Sequence, residues 1–539
     1  MKKLWFNIGI FFGCFLLLIT TLGAVLIMAP GMELLGVMFI RSTSGSVDSK
    51  QTLSDVYQFE NILVESDNIP VEIEFIQSNS IRIELVEHYD GFAKAGDTPN
   101  VVVEHRGDTI AIKSQEYVPF LAHSRSEDSG LKVKVPMYYT KNITVSSRKS
   151  SVVFTGLGAV VEDITVATGG EVKFNSDLKM HALKLSLKNE NAIIADTVIM
   201  DGNIVAESKS GDLTLPGGFY GRVDYSSNSG NLFVNKCAQL SFKSKTGSLS
   251  GVNGEHTHIY GDADINTGGK IEIGGIEGAG YITAGNRSVT IGEKDAICTA
   301  RLDVYSILGD INLNGVFTNS ESKIKTKYGD INAEILNYAN LETKSGDIKV
   351  YSSSNEANII TKSGKVSVEL ASGSLNIKTK NGKVFVGSDD YVIENANIET
   401  KSGNINILNA GNGEITLNTD SGDINFTQAT SYKSKLTVKA NKSNVVLNKL
   451  TGETNVETNR KITAYVHDVN EPINLTGKNK NVEVHVRKIC YVDLESKSKI
   501  ESAPGLEENS KKYRNAPESE NRQIITVKTN RGKISVIVD

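Results

Sequence analysis

Three sets of residues in this chain have types and spacings that could do chemistry. Asp212, Asp310, Asp330, Asp347 and Asp423 each directly follow a glycine. Gathered into one row, such carboxylates could bind Ca2+ or serve as an acid and base pair. The row is broken by Lys365, Lys383 and Asn404, and aspartate beside glycine is also ordinary turn chemistry. Lys327, Lys344, Lys362, Lys380 and Lys401 each stand two residues before a glycine. Stacked, they would make a basic stripe able to hold an anionic wall polymer or lipid headgroups. As a merely solvated face they would be partly neutralised by the aspartates and would discourage edge pairing. His256-Thr257-His258 puts two imidazoles on one strand face, with Asp262 and Asp264 close by, which is the raw material of a metal site. Surface histidines on a strand are the commoner outcome.

No G-x-S-x-G, H-E-x-x-H or phosphate-loop pattern occurs, and the G-G-x-G-x-D calcium repeat is absent. The reading is therefore of no catalytic residue, no metal ligand and no cofactor. Charged residues make up 22% of the chain and the formal net charge is −5, so no field of one sign favours nucleic acid. A single Trp argues against an aromatic-lined sugar cleft. Cys14, Cys237, Cys298 and Cys490 are too scattered to form a disulfide framework or a C-x-x-C pair, and read as small buried hydrophobes.

The elements that must position these residues repeat. Gly309, Gly329, Gly346, Gly364, Gly382, Gly403 and Gly422 follow one another at steps of 20, 17, 18, 18, 21 and 19 residues. Each begins a unit such as Ser345-Gly346-Asp347-Ile348-Lys349-Val350, in which apolar and polar residues alternate on both sides of the glycine. Strict alternation means strands with one buried face. Copies extend upstream to Ser210-Gly211-Asp212 and recur at Arg531-Gly532-Lys533. The glycine is expected to supply a positive φ at a tight corner. At ~3.3 Å per residue a unit of about 19 residues has a contour of roughly 60 Å, which suits one turn of a β-helix and not a propeller blade. The chain has room for about 18 to 20 such turns. Thr326, Thr343, Thr361, Thr379, Thr400 and Thr419 stand three residues before successive glycines, so stacked turns would bury a threonine ladder whose hydroxyls bond from turn to turn.

At the start, Met1-Lys2-Lys3 precedes an apolar run from Leu4 to Ala29, broken by Asn7, Thr20 and Thr21. About 20 apolar residues cross a bilayer as a helix, and the run is long for a cleaved signal peptide. Lys2 and Lys3 place the N-terminus in the cytoplasm and the repeats outside. The expected organisation is a transmembrane anchor and juxtamembrane segment over 1–40, a Ser-rich linker over 41–58, an N-terminal β cap or first irregular coils over 59–145, and solenoid repeats over 146–539 with a polar loop insertion at 496–522.

The strands from Val71 to Leu85, the Val135-Pro136 step, Ile143-Thr144-Val145 and the S-G-D-I-x-V units together make residues 59–539 resemble a bacterial adhesin family of membrane-anchored β-solenoids. The resemblance implies a cell-envelope setting and carries over no catalytic residue. The expectation is an all-β chain: a single-chain parallel β-helix, right-handed, preceded by one transmembrane helix in the cell membrane. Its role would be a structural or adhesive surface protein without catalysis, with the membrane, and a cell-wall polymer, glycan or protein, as partners. A polysaccharide-active β-helix enzyme and the outer part of a membrane-tethered sensor or assembly factor are the alternatives.

Overall fold

The computed structural model describes residue 17 and residues 41–539, except 94–99, 116–122, 125–128, 157, 176, 219–220, 294–296, 299–300, 318–320, 489, 509 and 516–523. The span expected within 1–40 falls outside the described residues. Among those described, no helix is long and apolar enough to cross a membrane. The described residues 41–539 form an all-β parallel solenoid of about 16 turns, with helix among them confined to single turns at Val56–Gln58 and Val252–Gly254. It divides into two compact units, one ending at Asn235 and the other starting at Lys236.

In the second unit each turn of the solenoid contributes two strands joined by a corner, for example Glu414–Thr419 and Ile424–Gln428. Alternation drives this: every second side chain points inward, and its counterparts in neighbouring turns lie directly above and below. Ile359, Ile377, Ile398, Leu417 and Val438 form one buried column in register. Ile348, Val366, Val384, Ile405 and Ile424 form another. Each side chain so buried stabilises the stack by about 1.5–3 kcal/mol. A one-residue slip would turn a whole column to water, so the register is strongly specified.

The glycines stand at the corners, but a positive φ is not the reason for them. Among the described residues, none of the seven corner glycines has a positive φ; that conformation is found at places such as Gly387, just past Val384–Val386, and Asn409, in the irregular end of Ile405–Ala410. What requires glycine is proximity. A Cβ on Gly346 would overlap the carbonyl oxygen of Gly329, one on Gly364 that of Gly346, and one on Gly382 that of Gly364. The threonines are buried as expected, Thr326 at 1% and Thr361 at 2% exposure. Their hydroxyls mainly close their own corner. Thr343 Oγ1 accepts the N–H of Gly346 at 3.0 Å, Thr361 that of Gly364 at 3.0 Å and Thr379 that of Gly382 at 2.9 Å. Bonding from turn to turn is secondary, as where Thr343 Oγ1 donates to Gly329 O at 3.3 Å. Where the corner lacks the hydroxyl it also lacks the glycine: Ala284 goes with Arg287, Ala440 with Ser443, and Gly477 with Lys480.

At the far end of this unit, stacking order departs from chain order. Ile524–Thr529 lies between Ile473–Gly477 and Tyr491–Ser502, parallel to both. Lys533–Val538 lies likewise between Val482–Val486 and Tyr491–Ser502. The stretch 496–522, expected as a loop, thus carries strand to Ser502 and again over Ser510–Arg514, which pairs antiparallel on the outermost turn. Val492, Leu494 and Ile500 are fully buried, and this apolar spacing is what draws the segment into the stack.

The first unit begins in the same way. Asn61–Ser66 lies between Thr109–Gln115 and Asn142–Ser147, and Val71–Ile76 between Gly130–Pro136 and Val152–Gly156, all parallel. Beyond them the strands turn antiparallel: Asn100–Arg106 on Thr109–Gln115, Ile81–Ala93 on Gly130–Pro136, and Arg41–Leu53 on Ile81–Ala93. Gln51 Nε2 donates to Val101 O at 2.8 Å, tying the two capping strands together. Capping covers the outermost parallel edges that would otherwise offer unpaired backbone groups. Strands spent on caps make no turns, which is why fewer turns are found than the chain length allows.

Candidate functional site

The aspartates after the corner glycines do form rows, and each carboxylate serves the backbone. Asp310 Oδ1 accepts the N–H of Asp330 at 2.8 Å, Asp330 that of Asp347 at 2.7 Å, and Asp347 that of Lys365 at 2.7 Å. Asn404 Oδ1 takes the same place for Asp423 at 3.1 Å, and Asp423 for Asn444 at 2.9 Å. In the first unit Asp212 accepts from Asn231 at 2.7 Å. At each of these corners an outward N–H is met by a short acceptor in the turn before. The Asp and Asn therefore substitute for one another because an acceptor oxygen is all the position needs.

The histidine set is not brought together. His258 lies 3.5 Å from Glu293, Asp264 lies 3.5 Å from Lys243, and Asp262 accepts the N–H of Ala279 at 2.8 Å. Among the described residues, no group of three or more His, Cys, Asp or Glu is arranged to hold a metal ion.

The lysines do stack. The register Thr326↔Thr343, Thr343↔Thr361, Thr361↔Thr379 and Thr379↔Thr400 puts the residue after each threonine in one column, which is Lys327, Lys344, Lys362, Lys380 and Lys401. Lys344 N–H donates to Lys327 O, and Lys401 N–H to Lys380 O, both at 3.2 Å. All five are exposed, and among the described residues none makes an ion pair. The ammonium groups of Lys327 and Lys344 ride on the ring of Tyr328, at 5.1 and 5.5 Å from its centre. The outward column two residues earlier is different. There Lys325 pairs with Glu342 at 2.9 Å and Lys378 with Glu399 at 3.4 Å, and Glu457 of this column pairs across with Lys478, which stands in line with the stripe beyond Asn459.

Between these two columns runs an open groove of about 830 Å3, reaching from Ile360 to Lys478. Lys380 and Lys401 line it, and Asp420, Asn441 and Asn459 continue their column beyond the stripe. The sequence reading missed this continuation. The signal was available: Lys439, Asn441 and Lys478 flank the corners where the glycine repeat has decayed to Ser443 and Lys480.

A family model described as Toastrack DUF4097 matches residues 59–373, 266–407 and 372–537, which together take in nearly all of the described chain. The chain belongs to this Toastrack family. Its solved-structure overlaps include a "putative cell adhesion protein" from Clostridium sporogenes, 8% identical, covering 37% of this chain and 100% of that one with a TM-score of 0.22. A "putative adhesin" from Parabacteroides merdae is 12% identical over 67% of this chain and 96% of its own, TM-score 0.14. Another from Bacteroides fragilis is 11% identical over 68% and 100%, TM-score 0.15. Overlaps this loose carry no argument. No curated protein matches the chain. The family match bears out the β-solenoid family read from the repeats, and the membrane anchor is not part of what it shows.

A second polar cluster closes the outer face of the far end of the second unit. His485 lies between Asp539, at 3.0 Å from Nδ1, and Glu483, at 2.9 Å from Nε2, and stacks on Tyr465 with ring centres 4.6 Å apart. Burial works against its charge, but the hydrogen bonds to Asp539 and then Glu483 outweigh this and hold the imidazole above its usual range. Lys461 and then His485 hold Glu483 below the ordinary carboxylate range. Elsewhere in the unit, Cys237 is fully buried, and burial alone pushes its thiol up to about 12.

Proposed function

We propose that this Toastrack protein is a surface protein of the bacterial cell envelope, anchored in the membrane by residues 1–40, that works by binding and holding, without catalysis. One observation carries the reading: five exposed lysines, without an ion pair among the described residues, stand in register along one corner, and the last two of them line an open groove on a scaffold whose turns are fixed by buried columns. The aspartate rows, the best raw material for hydrolysis, are engaged in accepting backbone N–H groups between turns. The apolar run from Leu4 to Ala29 behind Lys2 and Lys3 supports the anchor, with the solenoid outside.

The test is retention of the full-length chain, purified in detergent, on wall fractions and on whole cells, run beside a turnover screen on acidic polysaccharides. Saturable retention without cleavage is the expected result. Reproducible cleavage, or no retention by any envelope fraction, overturns the proposal. Protease accessibility of the repeats in spheroplasts tests the orientation, and repeats protected from external protease would defeat it.

A further inference from the structure

We infer that the lysine column and the groove continuing it form a site for a linear acidic polysaccharide, lying along the stacking direction with one carboxylate on each sugar. This rests on the binding role proposed above and names the ligand class and residues.

Spacing is the first reason. Successive turns of a parallel stack repeat at ~4.8 Å, so the five ammonium groups from Lys327 to Lys401 advance over ~19 Å in equal steps. That step is close to the advance of an extended pyranose chain per sugar. Neighbouring ammonium groups also lie within one Debye length, about 8 Å at physiological salt, so their fields add along the column.

Charge is the second reason. Two outward columns run side by side, and over the five-lysine stripe only one is neutralised. Lys325 and Lys378 face glutamates across the turns, whereas Lys344, Lys362 and Lys380 face one another. Like charges held this close favour an anion placed between them.

The groove itself is the third. Past Lys401 its lining becomes Asn418, Asn441 and Asn459, with Asp420 in the column and Lys439 beside it, while the carboxylates of Glu399 and Glu457 are paired with Lys378 and Lys478. Amides can donate to and accept from sugar hydroxyls. Asp420 would repel a backbone that offers charge alone, such as a phosphodiester chain, whereas a polysaccharide can present a hydroxyl there. The groove is open along its length, which admits an extended chain. Recognition through charge and hydrogen bonds also agrees with a chain that contains a single Trp.

The full-length chain in detergent micelles is titrated with polygalacturonate at low and at near-physiological salt. Saturable binding that weakens markedly with salt is expected. Exposed charge contacts contribute up to about fivefold each in affinity, so the triple variant Lys344→Gln/Lys362→Gln/Lys380→Gln should bind about tenfold more weakly. The pair Lys243→Gln/Lys325→Gln, taken from the other column, ion-paired to Asp264 and Glu342 and away from the groove, should change binding by less than about twofold. Circular dichroism confirms that both variants fold. Three results overturn the inference: a triple variant that binds like the parent, a neutral dextran that binds as well, or a poly(glycerol phosphate) that binds better. If wall fractions retain the chain while polygalacturonate does not bind, this site assignment fails and the binding role stands. If neither binds, both fail.

Discussion

Replacing Thr361 and Gly364, singly and together, tests why the corners are built as they are. In Gly364→Ser the new Cβ is driven into the carbonyl of Gly346, and overpacking of this kind costs about 1–3 kcal/mol. In Thr361→Ala the buried N–H of Gly364 loses the acceptor that holds it at 3.0 Å, which costs about 1–3 kcal/mol. Simple addition gives about 2–6 kcal/mol for the pair. The chain contains a corner of that double composition, Ala440 with Ser443, in a turn that stacks in normal register on its neighbours. The physical reading is that the hydroxyl draws the corner tight and the tight corner then excludes a Cβ. Without the hydroxyl the corner relaxes and admits one. The double variant should therefore be more stable than the sum by about 1–2 kcal/mol, within the range seen for residues in direct contact. Turns of a solenoid can open locally, so the assay is native-state hydrogen exchange at Ile348 and Val366, whose N–H groups donate to Lys365 and Lys383 across the affected turns. Each single variant should speed exchange there about tenfold to a hundredfold, at tenfold per 1.4 kcal/mol. Strict additivity within about 0.5 kcal/mol would refute the coupling. A Gly364→Asn variant markedly milder than Gly364→Ala would refute the proximity argument itself, because asparagine tolerates positive φ but not the missing space.

Three further outcomes are expected. Asp347→Asn should leave stability nearly unchanged because the amide oxygen can still accept the Lys365 N–H, whereas Asp347→Ala should cost about 0.5–1.5 kcal/mol in chemical denaturation; equal effects would mean that the charge, not the acceptor, matters. His485 has its folded pKa raised, so its contribution is fully present below about pH 6.5 and fades as pH rises through the folded value. Exchange protection of Lys533–Val538 should accordingly fall as the pH rises above about 6.5 in the parent and show no such step in His485→Gln; identical pH profiles would contradict the assignment. Cys237, buried and with its thiol pushed up to about 12, should resist iodoacetamide at pH 8 in the folded chain and react on denaturation, as read by peptide mass spectrometry.

What the sequence settled by itself was whatever repeats. The steps between Gly309 and Gly422 vary by a few residues, yet each glycine is followed two residues later by an inward Ile or Val and preceded at three by threonine, or at Gly309 by Ser306. Those fixed local offsets determine strand, corner, inward face and the stacking partners of each residue. The lysine column follows from the same offsets. Three matters needed the tertiary structure. The reason for the corner glycines was one, since the obstructing atom is a carbonyl oxygen some 18 residues away that no local pattern reveals. The task of the aspartates was another: a row of carboxylates reads alike whether it awaits a cation or accepts N–H groups from the next turn, and only the 2.7–2.8 Å contacts at Asp310, Asp330 and Asp347 decide. The last was the order of the end strands. Periodicity tells a turn to stack on the one before it, but at an end there is no further turn to obey. There Tyr491–Ser502 and Ile524–Thr529 settle by burying their apolar faces and pairing their backbones, and chain order gives way to that.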